Sequence, residues 1–107
     1  MSRLVAAVER AGATVVRAGG TEQLRRALDG DGDRPAAAFI DLNGRTYDGV
    51  TAVEMATQAG LPTAAVGQHE DLALRRRALA AGARRVYSYN KAHSDGPRLV
   101  AALLEHA

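Results

Sequence analysis

The chain has 107 residues, 47% of them hydrophobic and 24% charged, with a formal net charge of +2 and no cysteine. That is the size of one domain around one core. It leaves no disulfide or thiolate chemistry, and it gives a field too weak to hold nucleic acid by charge alone. No apolar run approaches the roughly 20 residues that span a bilayer. Glu9 and Arg10 interrupt the one early apolar stretch, so it does not read as a secretion signal. A cytoplasmic protein with no membrane partner is expected.

Ser2 is expected to cap a first helix with Leu4, Ala7, Val8 and Ala11 on one face, ended by Gly12. Ala13–Ala18 is short and rich in β-branched residues, which predicts a strand. Gly19 and Gly20 turn the chain, and Thr21 is expected to cap a second helix with Leu24, Ala27 and Leu28 inward, stopped by Gly30. The segment Asp29–Asp33 only superficially resembles a calcium loop. The Gly and Glu that such a loop needs are replaced by Arg34 and Ile40, so a solvated connection is expected.

Ala36–Leu42 is a continuous apolar run carrying Asp41 near its end, as expected of a strand buried on both faces. A polar loop over 44–49 leads to a helix from about Val50 to Ala59, with Val50, Val53 and Ala56 inward and Gly60 at its end. Thr63–Gly67 predicts the next strand. A helix over Glu70–Ala81 follows, with Leu72, Leu74, Ala78 and Leu79 as its apolar positions and Arg75, Arg76 and Arg77 largely exposed. After Gly82, residues 84–89 predict a strand and Asn90–Asp95 a polar loop. Pro97 suits the first turn of a last helix facing inward through Leu99, Val100, Leu103 and Leu104.

Regular alternation with short connections predicts a single α/β domain, a parallel sheet of four strands with helices on both faces. In such sheets chemistry gathers at the carboxyl ends of strands, which singles out Asp41. The plainer alternative is that Asp41 only hydrogen-bonds the loop after it.

Three stretches together resemble the receiver domain of bacterial two-component response regulators, a flavodoxin-like fold. Asp41-Leu42-Asn43-Gly44-Arg45-Thr46-Tyr47-Asp48-Gly49 is similar to the family's D-x-x-M-P-x-M-D-G, with both aspartates and the glycine in place and Met-Pro replaced by Gly44-Arg45. Pro62–Gln68 resembles the strand P-V-I-A-L-T-A. Ala78–Asn90 resembles A-x-x-A-G-A-D-D-Y-L-x-K-P.

The resemblance implies that Asp41 stands at the phosphoryl-acceptor position, with Asn43 and Asp48 in the loop beside it. Gly67 stands where the family has Thr or Ser, and Tyr89 where it has Lys. Lys91, the single lysine, reaches the site only if its loop bends back. The family's acidic pair has no counterpart, because its first strand has none. Mg²⁺ is therefore expected only if such a pair comes from residues outside this chain, and no other cofactor or metal is expected. Three explanations fit the missing strand: a start downstream of the natural one, a sheet that closes directly with four strands, or two chains completing each other's sheets.

The expected function is that of an atypical or pseudo-receiver in signal transduction, impaired in phosphorylation at Asp41 and acting through protein–protein contact. Its partner would be a kinase, an output protein or a second copy of itself. The resemblance places the contact surface at Arg75, Arg76, Arg77, Tyr87 or Tyr89, and Arg98, residue types common at interface hot spots. An ordinary solvated face is the alternative there. The runner-up function is a working phospho-acceptor whose natural chain is longer. A small α/β ligand-binding domain or enzyme using Asp41, Asp48 and His69 comes third. No nucleophile or glycine-rich phosphate loop supports it, so the chain is read as not an enzyme.

Overall fold

A computed structural model describes residues 2–10, 12, 16, 18–30, 35–68 and 70–105, the side chains of residues 2–4 and 7 excepted. The elements run α1 (Ser2–Arg10), α2 (Thr21–Asp29), β1 (Ala38–Asp41), α3 (Gly49–Gln58), β2 (Thr63–Gly67), α4 (Leu72–Ala80), β3 (Arg85–Ser88) and α5 (Tyr89–Glu105). Among the described residues the sheet is parallel and has the order β1-β2-β3. Phe39 sits beside Ala64 and Asp41 beside Val66, while Val66 faces Tyr87 across the next pair.

Strand periodicity divides the core in two. Ile40 and Ala65 point to one face, where Ala52 and Val53 of α3 and Ala78 of α4 cover them. Phe39 and Val66 point to the other, against Ala92 of α5. α1 packs on α5, and α2 packs on α3. β2 lies in the middle and is buried along its whole length, which fits its run of small apolar residues. Its one polar side chain, Thr63, donates its hydroxyl to the Leu61 carbonyl at 3.0 Å.

Two glycines set how closely the layers approach. A Cβ on Gly49 would lie 2.6 Å from the Leu42 Cα, so α3 can begin directly under the end of β1 only without a side chain there. Gly82 follows α4 at φ +116°, and a Cβ there would strike Thr57 at 2.4 Å. Only glycine meets both demands.

Several sequence expectations are corrected. The four-strand sheet has three strands among the described residues. Most of the expected strand over 13–18 lies outside those residues, and Val16 and Ala18, which are described, are in no strand. β-branched content favours a strand only where a neighbour supplies the ladder. Thr21 is the first helical residue of α2 rather than its cap. Gly20 occupies the cap position, with no side-chain bond to offer.

On α4, Leu74 packs against the core and Ala78 is buried, but Leu72 and Leu79 are 56% and 42% exposed. A single narrow stripe of this short helix meets the sheet, and those two leucines fall off it. Residues 90–95 are helical rather than a loop. Ser88 Oγ accepts the Lys91 N–H at 3.1 Å, and Lys91 pairs with Asp95 one turn on, so a turn of helix forms before the kink at Asp95 that precedes Pro97.

Candidate functional site

The loops leaving β1 and β2 and the start of α5 converge on Asp41, the last residue of β1. The ladder continues one step past it, with Leu42 N–H donating to the Val66 carbonyl at 2.9 Å. The chain then turns back on the carboxylate, and Asn43 N–H donates to Asp41 Oδ1 at 3.0 Å. Asn43 in turn accepts the Gln68 N–H on its Oδ1 at 3.2 Å, which ties the end of β1 to the end of β2.

Two phenols complete the cluster. Tyr47 donates its hydroxyl to the Asp41 carbonyl at 2.7 Å. Tyr89, the first residue of α5, donates to Asp41 Oδ1, and its hydroxyl also lies 3.3 Å from Asn43 Oδ1. Asp41 Oδ1 thus accepts from a backbone amide and a phenol, while Oδ2 has no hydrogen-bond partner among the described residues. Burial, then the hydrogen bond to Asp41 and its charge, push the Tyr89 phenol well above the ordinary tyrosine range. Tyr47 is raised as well, by burial first and the Asp41 charge second. Both remain protonated donors at neutral pH.

Gly67 lies at the carboxyl end of β2, buried against this cluster. A Cβ added there would come within 3.3 Å of both Asn43 Oδ1 and Leu42 Cδ1. Even a small side chain at this position needs its neighbours to give way.

The other residues singled out by the sequence stand apart from Asp41 chemistry. Asp48 is the N-cap of α3, accepting Val50 N–H at 2.9 Å and Thr51 N–H at 3.3 Å on Oδ1. Lys91 does not turn back to Asp41. Its Nζ lies 2.7 Å from Asp95 Oδ2, and that hydrogen bond and charge hold the Asp95 carboxyl below its ordinary range, with Arg98 adding to the effect. His69 lies outside the described residues, so the cluster of Asp41, Asp48 and His69 is not brought together among them.

Among the described residues, no three acidic, His or Cys side chains gather where they could hold a metal ion. The donors around Asp41 are an amide and two phenols, a set that does not suit Mg²⁺. Arg75, Arg76 and Arg77 are exposed on α4 between Leu72 and Leu79, Arg98 is exposed on α5, and Tyr87 is half-buried on β3. Tyr47 was legible in the sequence only as an aromatic residue in a polar loop. The bend of residues 44–48 that returns its hydroxyl to Asp41 left no separate signal.

The sequence matches no family model and no curated protein. Solved structures do resemble it. The receiver domain of NtrX from Brucella abortus superposes with a TM-score of 0.83 at 15% identity, over 97% of this chain and 88% of that one. The longer NtrX chain of the same organism matches with a TM-score of 0.78 at 18% identity, over 98% of this chain and 24% of that one. The signal receiver domain of a modulated diguanylate cyclase from Desulfovibrio desulfuricans G20 gives a TM-score of 0.77 at 22% identity, over 98% of this chain and 84% of that one. The chain therefore has the flavodoxin-like fold of receiver domains. No described helix is long and apolar enough to cross a membrane.

Proposed function

We propose that this chain is a pseudo-receiver, a signalling domain that works by protein contact rather than by phosphotransfer. The observation that carries the reading is the engagement of Asp41 by Tyr89. A phosphoryl acceptor needs cations and donors placed to offset the charge that develops on the transferred group. Here the position that the fold resemblance gives to a lysine holds a neutral phenol, and that phenol bonds the carboxylate itself. Gly67 offers no hydroxyl, and Lys91 is committed to Asp95.

Contact with a kinase, an output protein or another copy would use the exposed face of α4. There Leu72 and Leu79 flank an arginine run, and Tyr87 and Arg98 extend the face onto β3 and α5. The setting in which such a domain works is the cytoplasm.

Intact-mass spectrometry after incubation with acetyl phosphate and Mg²⁺, beside Asp41→Asn, tests the proposal. No phosphoryl gain in folded protein is the expected result. A gain that Asp41→Asn abolishes would overturn it in favour of the working phospho-acceptor.

A further inference from the structure

The outer edge of β1 opens into a cavity of about 430 Å³. Leu24 and Leu28 of α2 form one wall, Val8 of α1 with Val100 and Leu103 of α5 the other, and Phe39 lies at its floor. Two independent observations say what fits there. The first is the backbone. Ala38 N–H and Leu42 N–H donate inward to Pro62 and Val66, so the alternating pattern turns Phe39 and the Asp41 N–H outward. The Phe39 N–H and C=O and the Asp41 N–H have no partner among the described residues. The second is α2, which carries an apolar stripe of Leu24, Ala27 and Leu28 and yet has no buried residue. An amphipathic helix with its stripe uncovered lacks the layer it should pack on.

We propose that this groove is a binding site for one extended apolar peptide segment, which adds to the sheet as a strand beside β1. A small apolar ligand would fill the volume but leave the Phe39 amide and carbonyl unpaired. A strand satisfies both while its alternating side chains reach the α2 wall and the α5 wall in turn. A second copy presenting its own β1 edge does not fit, because the helical walls of each copy would collide before the recessed edges met. The opposite edge of the sheet is not an equivalent site: β3 carries exposed Arg85, preceded by exposed Arg84, and charges on an edge discourage pairing. β1 carries no charge before Asp41. This site is separate from the state of Asp41, so the two readings stand or fall apart.

The probe is a synthetic peptide of about eight residues alternating Val and Leu, ended with lysines for solubility. Its control is the same peptide N-methylated at alternate residues, with equal hydrophobicity but no donors along one edge. With the unmodified peptide the melting temperature of the full 107-residue chain should rise. Exchange of the Phe39 amide should slow by roughly tenfold or more, and the methylated peptide should do neither. No effect from either peptide, which is the result if a segment of the chain already fills the groove, would overturn the proposal. So would equal effects from both, which would mean greasy contact without a ladder. A dimer that persists with peptide in excess and leaves the Phe39 amide exchange unchanged would also overturn it.

Discussion

The Tyr89 hydroxyl donates to the Asp41 carboxylate, so the first residue of α5 is fastened to the last residue of β1 across the carboxyl end of the sheet. Tyr89→Phe removes only the hydroxyl. A hydrogen bond to a charged group contributes about 1.5–3 kcal/mol when sheltered. Tyr89 is 38% exposed, so water replaces part of that, and a loss of about 1 kcal/mol is expected. Urea unfolding followed by far-UV circular dichroism measures it. A variant as stable as the parent would mean that the contact contributes nothing net.

Asp48 is read here as a helix cap, not as chemistry. Asp48→Ala should cost about 0.5–2 kcal/mol, because Val50 and Thr51 lose their acceptor, while Asp48→Asn should cost much less. Thermal melts of the two variants separate a capping function from a charge requirement. Equal losses in both would point to the charge.

The same loop shows how far the sequence carried. The strand Thr63–Gly67 and the placing of Asp41 at the end of its own strand followed from apolar runs bounded by turns, because a buried parallel sheet leaves that mark locally. The exposed Leu72 and Leu79 did not follow, since periodicity says which residues share a face but not how much of that face a neighbour covers. Residues 90–95 read as a loop because they are polar, yet a side-chain cap at Ser88 and the pair of Lys91 with Asp95 make them helical. The bond of Tyr89 to Asp41 spans 48 positions and has no local signature at all.

The raised phenols make an alkaline prediction with a definite sign. An unfolded tyrosine ionises near pH 10, and Tyr89 and Tyr47 ionise later than that in the folded chain. The folded state therefore holds more protons than the unfolded state above about pH 10, and stability falls there as the pH rises. Below about pH 10 the contribution is present in full. Spectrophotometric titration of tyrosinate should show late-ionising phenols, and Asp41→Asn should bring Tyr89 down toward its ordinary range by removing the carboxylate while leaving the burial. An unchanged titration in Asp41→Asn would remove Asp41 as a cause.

Thr57 on α3 buries its Oγ1 without a hydrogen-bond partner, close beneath Gly82 where α4 ends. A hydroxyl left unpaired away from water costs on the order of 1–3 kcal/mol. Thr57→Val replaces it with a methyl of nearly the same shape, and both residues are β-branched, so helix propensity changes little. A gain of about 1 kcal/mol is expected, read as a higher urea midpoint at unchanged slope. The control is Thr57→Ala, which removes the hydroxyl together with the methyl that meets Gly82 and should recover less of the gain. If Thr57→Val instead lowered the midpoint, the hydroxyl would have to find a partner in solution, most simply a bound water, and the packing of α3 against the end of α4 would be wetter than its contacts suggest.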